Sequence, residues 1–237
     1  MQHKHSFLVA LAVFALSSFV SAGDVSGTVK FDGTAPHMKP IDMAKEPVCQ
    51  KEHNPPVAIQ AVVPGPNNTL DNVLVYVSKG LPAGKTYPTP GQPVTFDQHG
   101  CMYNPHVTAL MVNQDFHVTN SDPVAHNIHP LAKVNKEWNK SQPPGSAPID
   151  AKFDKPEITI PIKCNIHPWM RGYLAVFDHP YFAVSDADGK FTIKGLPAGH
   201  YTITAWQESW GEQTAEIDVP ASGAKTLDLT FKARPVY

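Results

Sequence analysis

The chain carries a short segment whose side chains can hold a soft metal ion. Residues 164–170 read Cys-Asn-Ile-His-Pro-Trp-Met, so a thiol, an imidazole and a thioether fall within seven positions. Cys164 and His167 can supply two strong in-plane ligands and Met170 a long, weak axial one, which is the ligand set of a trigonal copper site. The second imidazole has to come from elsewhere, and His126 is the candidate.

The softness of these donors selects the metal. A thiolate, a thioether and two imidazoles suit copper in both of its oxidation states. Structural zinc takes Cys or His in its fourth position, which argues against a thioether there. Taken alone, Met170 would be a core residue and Cys164 a small buried side chain. The joint spacing therefore predicts one bound copper ion, with structural zinc and no metal as the alternatives.

The first 22 residues predict export. Lys4 precedes an uncharged run from Ser6, and the run ends in the small-residue cleavage site Val20-Ser21-Ala22, as in a secretory signal peptide. No later stretch approaches the roughly 18 apolar residues of a membrane span. We therefore expect a periplasmic or secreted protein without a membrane span. Loss of Lys4 with the leader takes the formal charge from −2 to −3, which argues against a nucleic-acid partner.

Three cysteines in an exported protein raise the question of which one is free. Cys164 lies in the ligand-like loop, which leaves Cys49 and Cys101 to form a disulfide, a bond that export permits. The alternative is a second metal site, built from these two cysteines together with His53 and either His99 or His106.

The elements that position the ligands are predicted to be β-strands. Twenty-four prolines and many short β-branched and aromatic runs favour strands and turns over helices. Residues 157–163 are predicted as the strand that leads into Cys164, and residues 171–177 as the strand that leaves Met170. Further strands are expected at 24–31, 72–78, 106–112, 115–120, 185–193, 196–206, 215–219 and 226–231, with 106–112 and 115–120 paired around Asn113-Gln114 and a wrapping loop at 33–56.

The ligand loop resembles that of the cupredoxins, the blue copper proteins. Its Cys-x2-His-x2-Met spacing, with Pro after the His, is similar to the short-loop amicyanin type, and His126-Asn127-Ile128-His129 is similar to the segment that carries the first ligand. The resemblance covers residues 106–177 and implies a Greek-key β-sandwich with one type 1 copper.

This resemblance also implies a role for each residue of the site. The equatorial ligands would be His126, Cys164 and His167, and the axial ligand would be Met170. Asn127 would tie the two ligand loops together. His167 would reach the surface through an apolar electron-port patch formed by Pro168 and Trp169.

A second resemblance covers the C-terminus. Residues 186–203, which begin Asp-Ala-Asp-Gly-Lys-Phe, are similar to the carboxypeptidase regulatory-like, or prealbumin-like, β-sandwich, and residues 23–29 look like the opening strand of that fold. Asp186, Asp188 and Gly189 are expected to form a β-turn, with a calcium site as the alternative.

The expected fold is therefore all-β, a cupredoxin Greek-key β-sandwich plus a second small prealbumin-like β-sandwich. Residues 1–22 are assigned to the signal peptide, 23–178 to the copper domain and 179–237 to the second sandwich. The alternative division pairs residues 23–78 with the C-terminal module.

The predicted function is the transfer of single electrons between redox partners, with an unidentified redox protein as the docking partner. No His-x-His pair of the kind expected in a multicopper oxidase or copper nitrite reductase follows the leader, so no enzyme activity is expected. Two alternatives remain: periplasmic copper binding, buffering or delivery, and an envelope structural or binding role that uses the C-terminal β-sandwich.

Overall fold

The computed structural model describes residues 22–221 and 223–236, and there the chain folds almost entirely into β-strands. The all-β prediction is confirmed. Along β1, β10 and β13, for example, buried side chains alternate with exposed ones, because successive side chains point to opposite faces of a sheet. The strands are β1 Ala22–Asp32, β2 Leu74–Lys79, β3 Val94–His99, β4 Met102–Asn104, β5 Val107–Met111, β6 Phe116–Asn120, β7 His126–Pro130, β8 Lys140–Gln142, β9 Ile149–Ala151, β10 Glu157–Lys163, β11 Arg171–Phe177, β12 Phe182–Val184, β13 Lys190–Pro197, β14 Gly199–Gln207, β15 Gly211–Val219, β16 Lys225–Thr226 and β17 Leu229–Lys232.

Helical structure in the described part of the chain is limited to short segments. These are the α-helix α1, Pro47–Glu52, and a 3-10 turn at Pro66–Asn68. Neither helix of the described chain has the length or apolar character needed to cross a bilayer. The predicted leader lies outside the described residues, apart from Ala22.

Two sheets form the sandwich that contains the predicted ligands, called here the ligand sandwich. One sheet has the order β5-β11-β10-β7-β8 and the other β4-β3-β6-β9. Their facing side chains make one buried apolar core, in which aromatic residues pack closely, with Phe96 against Tyr103 and Phe116. Cys164 and Met170 are part of this core. The segment that carries the predicted ligands is therefore anchored in the core of the sandwich.

The second sandwich is built from both ends of the chain. Its sheets have the orders β13-β1-β16, with β17 also on β1, and β12-β2-β14-β15. The register places Val25 opposite Ile193 and Val29 beside Leu229. Strands β1 and β2 thus share sheets with the C-terminal strands, and the strands of the ligand sandwich come from the chain between β2 and β12. A Cβ on Gly27 would overlap the Leu227 carbonyl, so β1 needs glycine there to approach the C-terminal segment.

The two sandwiches are packed against each other. A third apolar cluster lies between them, formed by β2 on one side and by β5 and β11 on the other, with Tyr76 and Phe177 ring centroids 5.2 Å apart. His106 Nε2 also lies 2.6 Å from a carboxylate oxygen of Glu208, across the junction. The outer face of the ligand sheet is therefore covered on its β5 side by the second sandwich.

The predicted pairing of residues 106–112 with 115–120 is wrong. β5 pairs in parallel with β11, whereas β6 pairs in parallel with β3 in the opposite sheet. The Gln114 side chain accepts a hydrogen bond from the Met111 amide and donates one to the Gln92 carbonyl. These bonds fix a corner at which the chain crosses from one sheet to the other.

A loop before β2 folds back over the ligand sandwich. Residues 39–59, called here the strap, are closed at the base by hydrogen bonds from Ile41 N to Val57 O at 2.9 Å and from Ile59 N to Lys39 O at 3.0 Å. Helix α1 lies within the strap, and its Cys49 forms a disulfide with Cys101. The disulfide predicted from the cysteine count is therefore present.

Candidate metal centre

The loop 164–170 connects two adjacent antiparallel strands. β10 ends at Lys163 and β11 begins at Arg171, the limits predicted from the sequence. Within the loop, the Cys164 amide donates to the Met170 carbonyl at 3.1 Å and the Met170 amide donates to the His167 carbonyl at 3.0 Å. These bonds hold the loop in a tight turn.

The predicted ligands from the two segments come together. One potential ligand atom from each of His126, Cys164 and His167 lies within 4.8 Å of the others. The Nδ1 atoms of the two imidazoles face each other at 2.9 Å. The exposed fractions are 0% for His126, 2% for Cys164, 1% for His167 and 0% for Met170. The site is thus a buried set of nitrogen and sulfur donors.

Asn127 connects the two ligand segments, as the resemblance implies. Its Oδ1 accepts a hydrogen bond from the Asn165 amide at 2.6 Å and lies 3.3 Å from the Cys164 sulfur. Its Nδ2 donates to Asn139 Oδ1, and the backbone carbonyl of Asn127 accepts a hydrogen bond from the Tyr103 hydroxyl at 2.6 Å. Both ends of the Asn127 side chain are therefore bound, which fixes His126 relative to Cys164.

Asp122 holds the other edge of the His126 ring. Its carboxylate is buried and accepts hydrogen bonds from the amides of Gly100 and Cys101, both at 2.7 Å, and from His126 Nε2 at 2.8 Å. A carboxylate that accepts the proton of one ring nitrogen leaves the other nitrogen free to bind metal. Asp122 therefore favours the tautomer with the proton on Nε2, which leaves the Nδ1 atom that faces His167 free to bind metal.

The electrostatics of the site favour a thiolate. Burial raises the pKa of the Cys164 thiol, but hydrogen bonds from His126 and from loop amides outweigh burial and leave that pKa below its usual value. Burial lowers the pKa of His126, but its bonds to Asp122 and Cys164 raise it overall. Burial and the neighbouring His126 hold the pKa of His167 below its usual value. Without metal, these shifts favour a Cys164 thiolate beside a protonated His126, and metal binding would release that proton.

The strap covers His167. Glu46, at the start of α1, places a carboxylate oxygen 3.9 Å from His167 Nε2. The Trp169 ring packs against the imidazole, with centroids 5.1 Å apart, and donates from Nε1 to the Cys101 carbonyl. The expectation that His167 reaches the surface is wrong for this structure, since its ring is buried. Pro168 is exposed, and Trp169, which packs on the imidazole, is half-buried.

The alternative second metal site is not formed, because its two cysteines are joined in a disulfide and cannot bind a metal. Cys49 and Cys101 are joined to each other, His53 Nε2 lies 2.5 Å from the Gly100 carbonyl, and His106 pairs with Glu208. The segment considered as an alternative calcium site forms the predicted turn, in which the Gly189 amide donates to the Asp186 carbonyl at 2.7 Å. Within the described chain, neither Asp186 nor Asp188 belongs to a cluster of three metal-ligating side chains.

Sequence reasoning missed two residues of the site. Asp122 lies four positions before His126, and a carboxylate so close to a predicted histidine ligand could have been recognised as its hydrogen-bond acceptor. Glu46 carried no such signal, because it reaches His167 only through the disulfide-anchored strap.

Residues 176–232 match the family model of the carboxypeptidase regulatory-like domain. No curated protein gave a significant match.

The similar solved structures include copper proteins. A Cu-containing nitrite reductase from Thermus scotoductus SA-01 is 20% identical over 43% of this chain and 26% of its own, with a TM-score of 0.35. A purple cupredoxin from Nitrosopumilus maritimus is 21% identical over 35% of this chain and 97% of its own, with a TM-score of 0.30. An oxidised amicyanin variant is 17% identical over 43% of this chain and 97% of its own, with a TM-score of 0.32.

Proposed function

We propose that this protein is an exported type 1 copper protein that carries single electrons between redox partners. The observation that carries the proposal is the buried cluster of Cys164, His126 and His167, with Met170 in the same loop and core. This donor set suits copper in both oxidation states, and bound copper would supply one-electron redox chemistry. His126, Cys164 and His167 would hold the ion strongly and Met170 weakly.

The surrounding residues support this role by fixing the ligands before metal binds. Asn127 ties the two ligand segments together, and Asp122 holds the His126 ring in the tautomer required for binding through Nδ1. A ligand set held in one geometry by a packed core changes little between oxidation states, which favours rapid electron transfer.

The proposed site of action is the periplasm or the extracellular space. The Cys49–Cys101 disulfide supports this proposal, because such bonds persist in oxidising compartments. The predicted leader supports it independently.

Voltammetry of the copper-loaded protein, combined with a chelator competition, tests the proposal against copper handling. An electron carrier is expected to cycle reversibly between Cu(II) and Cu(I) and to keep its copper in the presence of a chelator. Irreversible voltammetry with rapid loss of copper would contradict electron transfer and favour the buffering or delivery role.

A further inference from the structure

A row of basic residues crosses the ligand sheet next to the metal centre. The strand register places His129 opposite Lys163, and Lys163 opposite Arg171, so the three side chains lie side by side on the outer face of the sheet. Glu137 binds His129 at 2.6 Å. Within the described chain, neither Lys163 nor Arg171 has a carboxylate partner, and both residues are exposed.

Fold stability does not explain this arrangement. Like charges directly opposite each other on neighbouring strands are destabilising. The hydrogen bond that Arg171 makes, from Nε to the Pro168 carbonyl at 3.4 Å, is long and exposed. The positive charge is thus available to a molecule outside the fold.

The basic pair borders an open cleft that reaches the metal loop. The cleft has a volume of about 530 Å³, and its lining includes Pro161, Lys163, Cys164, Pro168 and Arg171. The second sandwich bounds this part of the surface, since Tyr173 in the cleft packs on Trp206 with ring centroids 4.9 Å apart. The cleft is therefore a corner beside the second sandwich, with Lys163 and Arg171 on its rim.

The His167 approach carries negative charge instead. His167 is as buried as Cys164, and a Glu46 carboxylate oxygen lies 3.9 Å from its Nε2. On the cleft side, Lys163 is joined to Cys164 by a single peptide bond, so the exposed basic side chain stands one residue from the buried sulfur. Arg171 is likewise joined to Met170, so both basic residues of the rim are one peptide bond from a candidate ligand.

We propose that this corner is the docking surface for a redox protein with an acidic patch, and that electrons enter and leave the centre on the Cys164 side. The inference rests on the proposed electron-transfer function and names its partner class. The positive charge at the rim would steer an acidic partner to the cleft, because a cleft lined by charges of one sign raises the association rate of an oppositely charged molecule by about 10- to 1,000-fold.

Small redox reagents of opposite charge test the docking surface. The copper(I)-loaded protein is mixed in a stopped-flow instrument with hexacyanoferrate(III) or with tris(phenanthroline)cobalt(III) at low ionic strength. Each reagent takes one electron, giving copper(II) and hexacyanoferrate(II) or the cobalt(II) complex. The ratio of the anionic to the cationic rate constant is compared among variants, because it reports the local charge where electrons leave.

The test variant is Lys163→Glu/Arg171→Glu, and the control is Lys225→Glu/Lys232→Glu, which makes the same change in net charge on exposed strands of the second sandwich. The rate ratio is expected to fall by about tenfold or more in the test variant, and by much less in the control. If the test variant does not fold, Lys163→Gln/Arg171→Gln is used, with a smaller fall in the same direction.

Equal changes in the test variant and the control, or no change in either, would overturn the docking surface. Failure of the proposed function is recognised separately. It would appear in the unmodified protein as a missing visible charge-transfer band or as absent redox cycling, whereas failure of the docking surface leaves both intact.

Discussion

Replacement of Asp122 by Asn is expected to destabilise the protein and loosen its hold on copper. The Asp122 carboxylate accepts bonds from Gly100 on one oxygen and from both Cys101 and His126 on the other. Asn offers a single acceptor oxygen, so at least the Gly100 amide is left facing an NH2 group. The remaining bonds also lose the negative charge that strengthens them.

The magnitude follows from these contacts. A buried donor left without an acceptor costs about 1–3 kcal/mol, and a bond to a charged group contributes about 1.5–3 kcal/mol, so the loss of unfolding free energy is about 3 kcal/mol. For a chain of this size, that loss lowers the melting temperature by roughly 6–12 °C. Loss of the carboxylate behind a histidine ligand is expected to weaken copper binding by about 10- to 100-fold.

The matched control is Asp150→Asn, at a carboxylate that also binds a histidine. Asp150 pairs with His117 at 2.7 Å, but its side chain is 71% exposed, so the pair contributes about 0–1 kcal/mol. The melting temperature of the metal-free variants and their copper affinity in a chelator competition are measured together. If both variants behave alike in the two assays, the role assigned to Asp122 is wrong.

Three further changes have defined outcomes. Removal of the strap's disulfide in Cys49→Ala/Cys101→Ala should lower the free energy of unfolding by about 4 kcal/mol in the chain-entropy model and should speed the loss of copper to a chelator. An unchanged rate of copper loss would show that the strap does not limit access to the metal site. Gly27→Ala should lower the melting temperature by several degrees, because a Cβ would overlap a carbonyl, whereas Gly91→Ala, with open space around it, should not; equal effects would contradict the close approach of β1. Burial raises the pKa of Glu157, but hydrogen bonds from the loop at 133–135 lower it overall, so this carboxylate stabilises the fold above about pH 4.5 and the stabilisation is lost as the pH falls through its folded pKa. Glu157→Gln should therefore have a smaller free energy of unfolding near pH 7, measured with denaturant, and should lose less of it on acidification. If Glu157→Gln and the unmodified protein lose the same stability as the pH falls, this reasoning is wrong.

The ligand loop and its flanking strands were predictable because the signal is local. Residues 157–163 and 171–177 alternate up to the loop, and the structure gives these strands the predicted limits. The partners of 106–112 were not predictable, because a short polar connection fits a hairpin as well as a corner between sheets. The Gln114 side chain, which makes the corner, gives no periodic pattern.

The environment of the ligands was less predictable than the ligands themselves. Asp122 acts on His126 together with backbone amides at 100–101, and such acceptor geometry is set by tertiary folding. Glu46 is far from His167 in sequence and is brought within 3.9 Å of its Nε2 by the strap and its disulfide. Sequence spacing reveals which residues can bind a metal, but it does not reveal which of them remain accessible.

Visible absorption during Cu(II) titration tests the central claim most directly. In the unmodified protein, an intense sulfur-to-copper charge-transfer band is expected to grow until one copper is bound per chain. Cys164 is the free thiol of the described chain, so the band is expected to be absent from Cys164→Ser. A colourless copper-loaded protein, or a band that persists in Cys164→Ser, would contradict a type 1 copper centre.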